Sequence, residues 1–179
     1  LSVNSRLRQN IQCHHTATHI LHWALREVLG DHVKQAGSLV EENRLRFDFS
    51  HYEAVSEAQL KEIETIANAK LLLNEKVESY EIPFSEKPEE VVAFFGEKYG
   101  DEVRVVFMGK EANSFFSTEL CGGTHVKNTK DVGKFKIISQ SSIASGVRRV
   151  EALRDQQLYE YEKSQKLEKS TKEKITKQQ

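Results

Sequence analysis

The stretch His14-His15-Thr16-Ala17-Thr18-His19-Ile20-Leu21-His22 holds four of the chain's seven histidines, and its reading decides the fold. Around it, Ser5 to about Leu29 reads as one amphipathic helix, stopped at Gly30-Asp31. A helix turns about 100° per residue, which puts Ala17, Leu21, Ala24 and Val28 on one broad apolar face. His15, His19 and His22 then form a narrow stripe beside that face, with Thr18 and Leu25 between stripe and core. Cys13 points nearly opposite. His14, about 100° off the stripe, is expected at the surface or just behind the stripe.

Past the helix the period drops toward two. Val33 to Ser50 reads as a β-hairpin with a polar turn at Glu41-Glu42-Asn43, and Leu45-Arg46-Phe47-Asp48-Phe49 alternates as a half-buried strand does. Ser56 is a good N-cap for a second helix to about Leu73, with Ile63, Ile66 and Leu73 at core spacing. Val77 to Pro83 and Val103 to Met108 are expected as strands, and Lys87-Pro88-Glu89-Glu90 as the first turn of a short helix. A loop then carries Glu119-Leu120-Cys121-Gly122-Gly123-Thr124-His125-Val126. Lys134 to Ser142 and Val147 to Leu153 close the β portion around a turn at Ala144-Ser145-Gly146. From Gln156 the chain is rich in Lys, Glu and Gln, as a solvated helix or frayed tail would be. The expected class is α+β: an antiparallel β-sheet packed with helices and a C-terminal extended helix. The main domain is placed at residues 1–155 and the charged helical extension at 156–179.

Composition sets the bounds. With 38% apolar and 30% charged residues the chain is long enough for a real core under a wet surface. Its net charge of −1 gives no global field to attract nucleic acid, so any such contact must come from a local patch. No apolar run reaches the roughly 18–20 residues of a membrane span, and no signal peptide opens the chain. Cys13 and Cys121 are far apart and set among histidines, unlike a disulfide framework. A reducing, cytoplasmic compartment is therefore expected. The missing initiator methionine suggests a cut inside a longer polypeptide.

Metal chemistry is the sharpest signal. Residues four apart on a helix project side by side, so His15 and His19 can both reach one ion. Pairing His22 with either of them would also share a face. Cys121 and His125 are likewise four apart, around two glycines that let the backbone fold back. Imidazoles with one thiolate make a borderline-soft tetrahedral set that suits zinc better than magnesium or calcium. The plain alternative is a core histidine stripe with an unrelated turn. A peptidase helix would carry a glutamate beside its first histidine as general base; here that place holds Thr16. His32 and His51 lie in turn-like sequence and look ordinary.

These residues resemble the editing domain of alanyl-tRNA synthetase and the related free-standing alanyl-tRNA editing proteins. The resemblance runs through His15-Thr-Ala-Thr-His19-Ile-Leu-His22, Gln35-Ala-Gly-Ser38, Leu45-Arg-Phe-Asp-Phe49, Phe95-Gly-Glu-Lys-Tyr99, Glu119-Leu-Cys-Gly-Gly-Thr-His-Val126 and Gly146-Val-Arg-Arg-Val-Glu-Ala152. The editing module of threonyl-tRNA synthetases is more distant, with a different pattern between the loop's Cys and His. The resemblance implies zinc on His15, His19, Cys121 and His125, held between the N-terminal helix and the β-region loop. It implies hydrolysis of serine or glycine wrongly esterified to the alanine-specific tRNA, in a fragment without the aminoacylation domain. A free-standing editing protein and a tRNA-binding module with structural zinc are the alternatives. Such editing has a clear reason, since a pocket sized for alanine cannot exclude glycine and rejects an added hydroxyl poorly.

Within that frame, a four-ligand set leaves no simple place for a metal-bound water, so zinc is expected to orient the substrate. Thr18, beside the stripe, is the candidate sensor of the serine hydroxyl; the alternative is a helix threonine bonded back to its own turn. Gln35 resembles a residue that contacts the aminoacyl group. Arg148 and Arg149 adjoin a glycine turn and are candidates for tRNA phosphates, but strand alternation lets only one of them share a face with the site. Lys127, Lys130 and Lys134 form a modest basic cluster, ordinary for solubility.

Overall fold

The computed structural model describes residues 2–88, 91, 100–109 and 115–176. Helix α1 spans Ser5–Leu29. Its N-cap is Asn4, whose Oδ1 accepts from the Leu7 amide at 3.2 Å, satisfying one of the orphan donors of the first turn. It stops at Gly30, whose φ of +113° suits a residue without a Cβ, and the Gly30 N–H closes onto Arg26 O at 2.9 Å. Ala17, Leu21 and Ala24 are fully buried. So is His14, which removes the surface alternative of the two placements expected for it. Glu41 of the hairpin turn and Arg154 lie beside it, so a residue turned off the stripe still meets protein. Burial, then the Arg154 charge, pushes the His14 imidazole down to about 4.

Strands β1 (Gln35–Val40) and β2 (Leu45–Ser50) form the expected hairpin. Helix α2 (Glu57–Leu72) starts at Ser56, with Ser56 Oγ and the Gln59 side chain capping one another's backbone N–H groups. Its core stripe ends at Leu71 rather than at Leu73. The helix stops at Leu72, and Leu73 turns 52% exposed.

Strands β3 (Lys76–Pro83), β4 (Glu102–Gly109) and β5 (Phe115–Leu120) build a three-stranded antiparallel sheet in that order. The segment before Cys121 is thus a strand where a loop was expected. Its alternation is disguised because the residues it buries include Ser117 and Glu119. Strands β6 (Phe135–Ala144) and β7 (Val147–Arg154) join the first hairpin in a separate four-stranded antiparallel sheet, ordered β1-β2-β7-β6. The α+β class and its antiparallel pairing hold, with two sheets in place of one. Helix α3 (Asp155–Thr176) leaves the end of β7, buries Leu158 and contacts β6 and β7.

Of the short helix expected at Lys87-Pro88-Glu89-Glu90, Lys87 and Pro88 are not helical, and a 3-10 turn at Phe84–Glu86 precedes them. Glu89, Glu90 and the Phe95–Tyr99 motif lie outside the described residues. No described helix is long and apolar enough to cross a membrane.

Register in the four-stranded sheet positions its polar residues. Gln35 pairs with Phe49 and Phe49 with Arg148, so these three share one row and one face. Phe47, two residues on, lies on the same face with its ring 5.3 Å from that of His22, so the face looks toward α1. Arg149 pairs with Asp48 on the opposite face.

Candidate metal centre

The helical spacing of α1 brings His15 and His19 together with ring centroids 5.2 Å apart. The turn leaving β5 carries Cys121 and His125 to them, and the His125 ring lies 4.3 Å from His15 and 4.8 Å from His19. One ligating atom from each of the four falls within 4.8 Å of all the others. Cys121 Sγ is 3.4 Å from His15 Nε2 and 3.4 Å from His125 Nε2. Zn–S and Zn–N bonds at tetrahedral angles put sulfur and nitrogen about 3.6 Å apart, so the set fits a zinc ion in size as well as in chemistry. Calcium or magnesium would call for oxygen donors.

Each element adds a detail that shapes this cluster. Gly123 lies against His15 so closely that a Cβ there would overlap the imidazole ring. Its amide donates to Cys121 Sγ at 3.4 Å. His125 Nδ1 faces Thr16 Oγ1 at 3.1 Å, and the same hydroxyl oxygen accepts from the Val126 amide at 3.2 Å. Thr16 is fully buried in this role, which leaves the helix without the glutamate base of a peptidase. Glu119 turns in from β5: Oε2 is 3.0 Å from His19 Nδ1 and Oε1 is 3.2 Å from His22 Nδ1. Both histidines therefore present Nδ1 to one carboxylate. That fixes His19 with Nε2 free for a metal and keeps His22 outside the four-residue cluster.

Electrostatics follow from this packing. Burial raises the Cys121 thiol, but hydrogen bonds with His125, His15 and His19 outweigh it and bring the group down to about 3. Burial pushes His125 down to about 4. His19 is lowered by burial and raised more strongly by Glu119 and Cys121, ending at about 10. Glu119 is raised by burial yet held well below the usual carboxylate range by His19 and His22. The site thus offers a thiolate and a neutral imidazole beside a carboxylate–histidine pair.

Arg104 was not singled out from sequence. Its Nη1 donates to Cys121 O at 3.0 Å and to Gly123 O, while Nη2 donates to Ser79 Oγ at 2.9 Å. Its own carbonyl accepts from the Cys121 amide at 3.0 Å. The signal for it was hidden in β5, because pairing Val105 with Leu120 sets Arg104 opposite Cys121.

The remaining candidates have partners of their own. Thr18 is buried and donates its hydroxyl to His14 O at 2.8 Å, the back-bond of a helix threonine. Gln35 Nε2 lies 3.4 Å from Ser38 Oγ. Arg148 Nη2 donates to Gln140 Oε1 at 3.0 Å, and Arg149 grips Asp48 with Nε at 2.7 Å and Nη2 at 2.9 Å. His32 and His51 make a stacked pair, with Nε2 and Nδ1 2.8 Å apart.

Comparison with known proteins places relatives beside this chain. Residues 103–151, which include Cys121 and His125, match the threonyl and alanyl tRNA synthetase second additional domain. The chain is 50% identical over 161 residues to an alanine–tRNA ligase of Opitutus terrae, covering 90% of this chain and 17% of the relative. It is 55% identical over 153 residues to that of Saccharophagus degradans, covering 84% and 17%. For a Thermoanaerobacter ligase the identity is 54% over 147 residues, covering 82% and 16%. The chain spans about one sixth of the length of these relatives, 16–17%. Over 82–90% of its length, the chain is therefore related to the alanine–tRNA ligases.

Proposed function

We propose that this chain hydrolyses the ester of serine or glycine wrongly joined to the alanine-specific tRNA, with zinc bound by His15, His19, Cys121 and His125. The observation that carries the reading is the convergence of those four donors from two distant segments, each backed by its own partner. When bound, zinc supplies a positive centre that orients the aminoacyl group. The chain's residues do the rest. Glu119 and Thr16 hold two imidazoles in the ligating tautomer, and the packing of Gly123 on His15 keeps the loop against α1.

Selectivity is assigned to Thr18. Its proton is committed to His14 O, so it meets a serine hydroxyl as an acceptor and an alanine methyl with nothing to offer. Gln35 and Arg148 share the sheet face that looks toward α1, which supports a contact with the aminoacyl group for the first and with RNA phosphate for the second. Arg149 reaches a phosphate only in competition with Asp48.

Incubating the chain with serine-charged and alanine-charged tRNA, with and without a zinc chelator, tests the reading. Metal-dependent loss of the serine ester alone is the expected result. Equal inertness toward both would leave a tRNA-binding module with structural zinc, which the filled four-ligand set favours.

A further inference from the structure

Two backbone carbonyls of the metal loop, those of Cys121 and Gly123, accept from the same Arg104 Nη1. All described peptide bonds are trans, and in a trans peptide the N–H lies opposite the C=O. Drawing both carbonyls onto one guanidinium therefore turns the N–H groups of Gly122 and Thr124 to the other side of the loop. Among the described residues neither N–H has a partner, whereas the Gly123 N–H between them is taken by Cys121 Sγ. The space is open as well: a Cβ on Gly122 would meet nothing within 4 Å. These two donors sit between the candidate ligands Cys121 and His125, and a cation on each carbonyl strengthens the N–H at the far end of its peptide.

We propose that the Gly122 and Thr124 N–H groups form an oxyanion-binding site for the tetrahedral intermediate of ester hydrolysis, and that Arg104 is the positioning residue that aims them. The inference rests on the hydrolytic reading above. Water oxygen bonds to the ester carbonyl carbon, and the carbonyl π pair moves onto the carbonyl oxygen, which the two N–H groups then hold. Collapse returns that pair, breaks the carbon–oxygen bond to the ribose, and releases the ribose hydroxyl with the proton that the water gave up. Preorganised N–H donors stabilise charge that develops only in the transition state, so they act on kcat rather than on KM.

The test compares single-turnover deacylation of serine-charged tRNA by zinc-loaded Gly122→Pro and Gly122→Ala, matched for metal content. Both add bulk, and only proline removes the N–H. The proline variant is expected to be slower than the alanine variant by about 10²–10³ in kcat, with KM similar. Equal kcat in the two overturns the proposal. Should Gly122→Pro fail to hold metal, Arg104→Met and Arg104→Lys decide: Arg104→Met loses about 10² in kcat at unchanged KM, and Arg104→Lys regains part of it. A defect confined to KM or to metal content overturns the positioning role. If the unaltered chain hydrolyses no ester, the hydrolytic reading fails first and separately.

Discussion

Glu119 stands between two histidines of α1, its Oε2 3.0 Å from His19 Nδ1 and its Oε1 3.2 Å from His22 Nδ1. One buried carboxylate from β5 thus sets the tautomer of a candidate zinc ligand and ties down a neighbour one turn along. Partners of this kind typically contribute 10–100-fold to metal affinity. Glu119→Gln keeps the shape but can accept on one atom only, so zinc affinity should fall by about tenfold or more. Chelator competition reads the change. Unaltered affinity would mean that His19 needs no such support.

The Glu119 contacts also show where sequence reading stopped. Helix α1 was visible to the residue, because its apolar face, its histidine stripe and Gly30 all point to the same element. The two half-sites were visible as spacings. Their tie through Glu119 was not, since a strand that turns Ser117 and Glu119 inward reverses the usual alternation and reads as a loop. Losing β5 also lost Arg104, whose place opposite Cys121 follows only from the β4–β5 register. His14 was left between two placements for a different reason: helix periodicity gives a direction but not what packs there, and Glu41 and Arg154, which lie beside it, come from elsewhere in the chain. The choice between Arg148 and Arg149 waited on knowing which face of the sheet meets α1.

Thr16 occupies the helix position next to His15 and serves two donors with one oxygen, at 3.1 Å to His125 Nδ1 and 3.2 Å to Val126 N. Thr16→Val preserves the volume and removes the acceptor. Leaving the buried Val126 amide without its partner costs about 1–3 kcal/mol, and His125 loses its orientation. Thermal unfolding of the zinc-loaded protein should therefore shift down, with weaker metal retention in the same samples. A normal melting temperature together with normal retention would refute the dual role.

The two glycines of the loop should behave differently toward metal. A side chain on Gly123 collides with the His15 ring, which cannot yield without leaving the cluster, whereas one on Gly122 enters open space. Cobalt substituted for zinc should report this through its tetrahedral thiolate spectrum. Gly123→Ala is expected to lose that spectrum or bind cobalt far more weakly, and Gly122→Ala to keep it. Equal spectra would show that the loop can move away from α1 at little cost.

Metal affinity should fall with acid, with a slope that the electrostatics of the cluster set. Ligands must be deprotonated to bind, so each proton displaced at a given pH adds a factor of about ten per pH unit. Hydrogen bonds with the histidines hold Cys121 down at about 3 against its burial, and burial holds His125 at about 4, so near neutrality the first is already a thiolate and the second already a neutral imidazole. His19 is the opposite case, because Glu119 and Cys121 override burial and keep it protonated up to about 10. Of these three groups only His19 has a proton to give up between pH 6 and 8. Zinc affinity over that window should drop by about tenfold for each unit of acidification. Titration calorimetry in buffers of differing ionisation enthalpy should count about one proton released per zinc. A count near three would mean that thiol and imidazoles enter the reaction protonated, and that the surrounding histidines do not prepare Cys121 as a thiolate before the metal arrives.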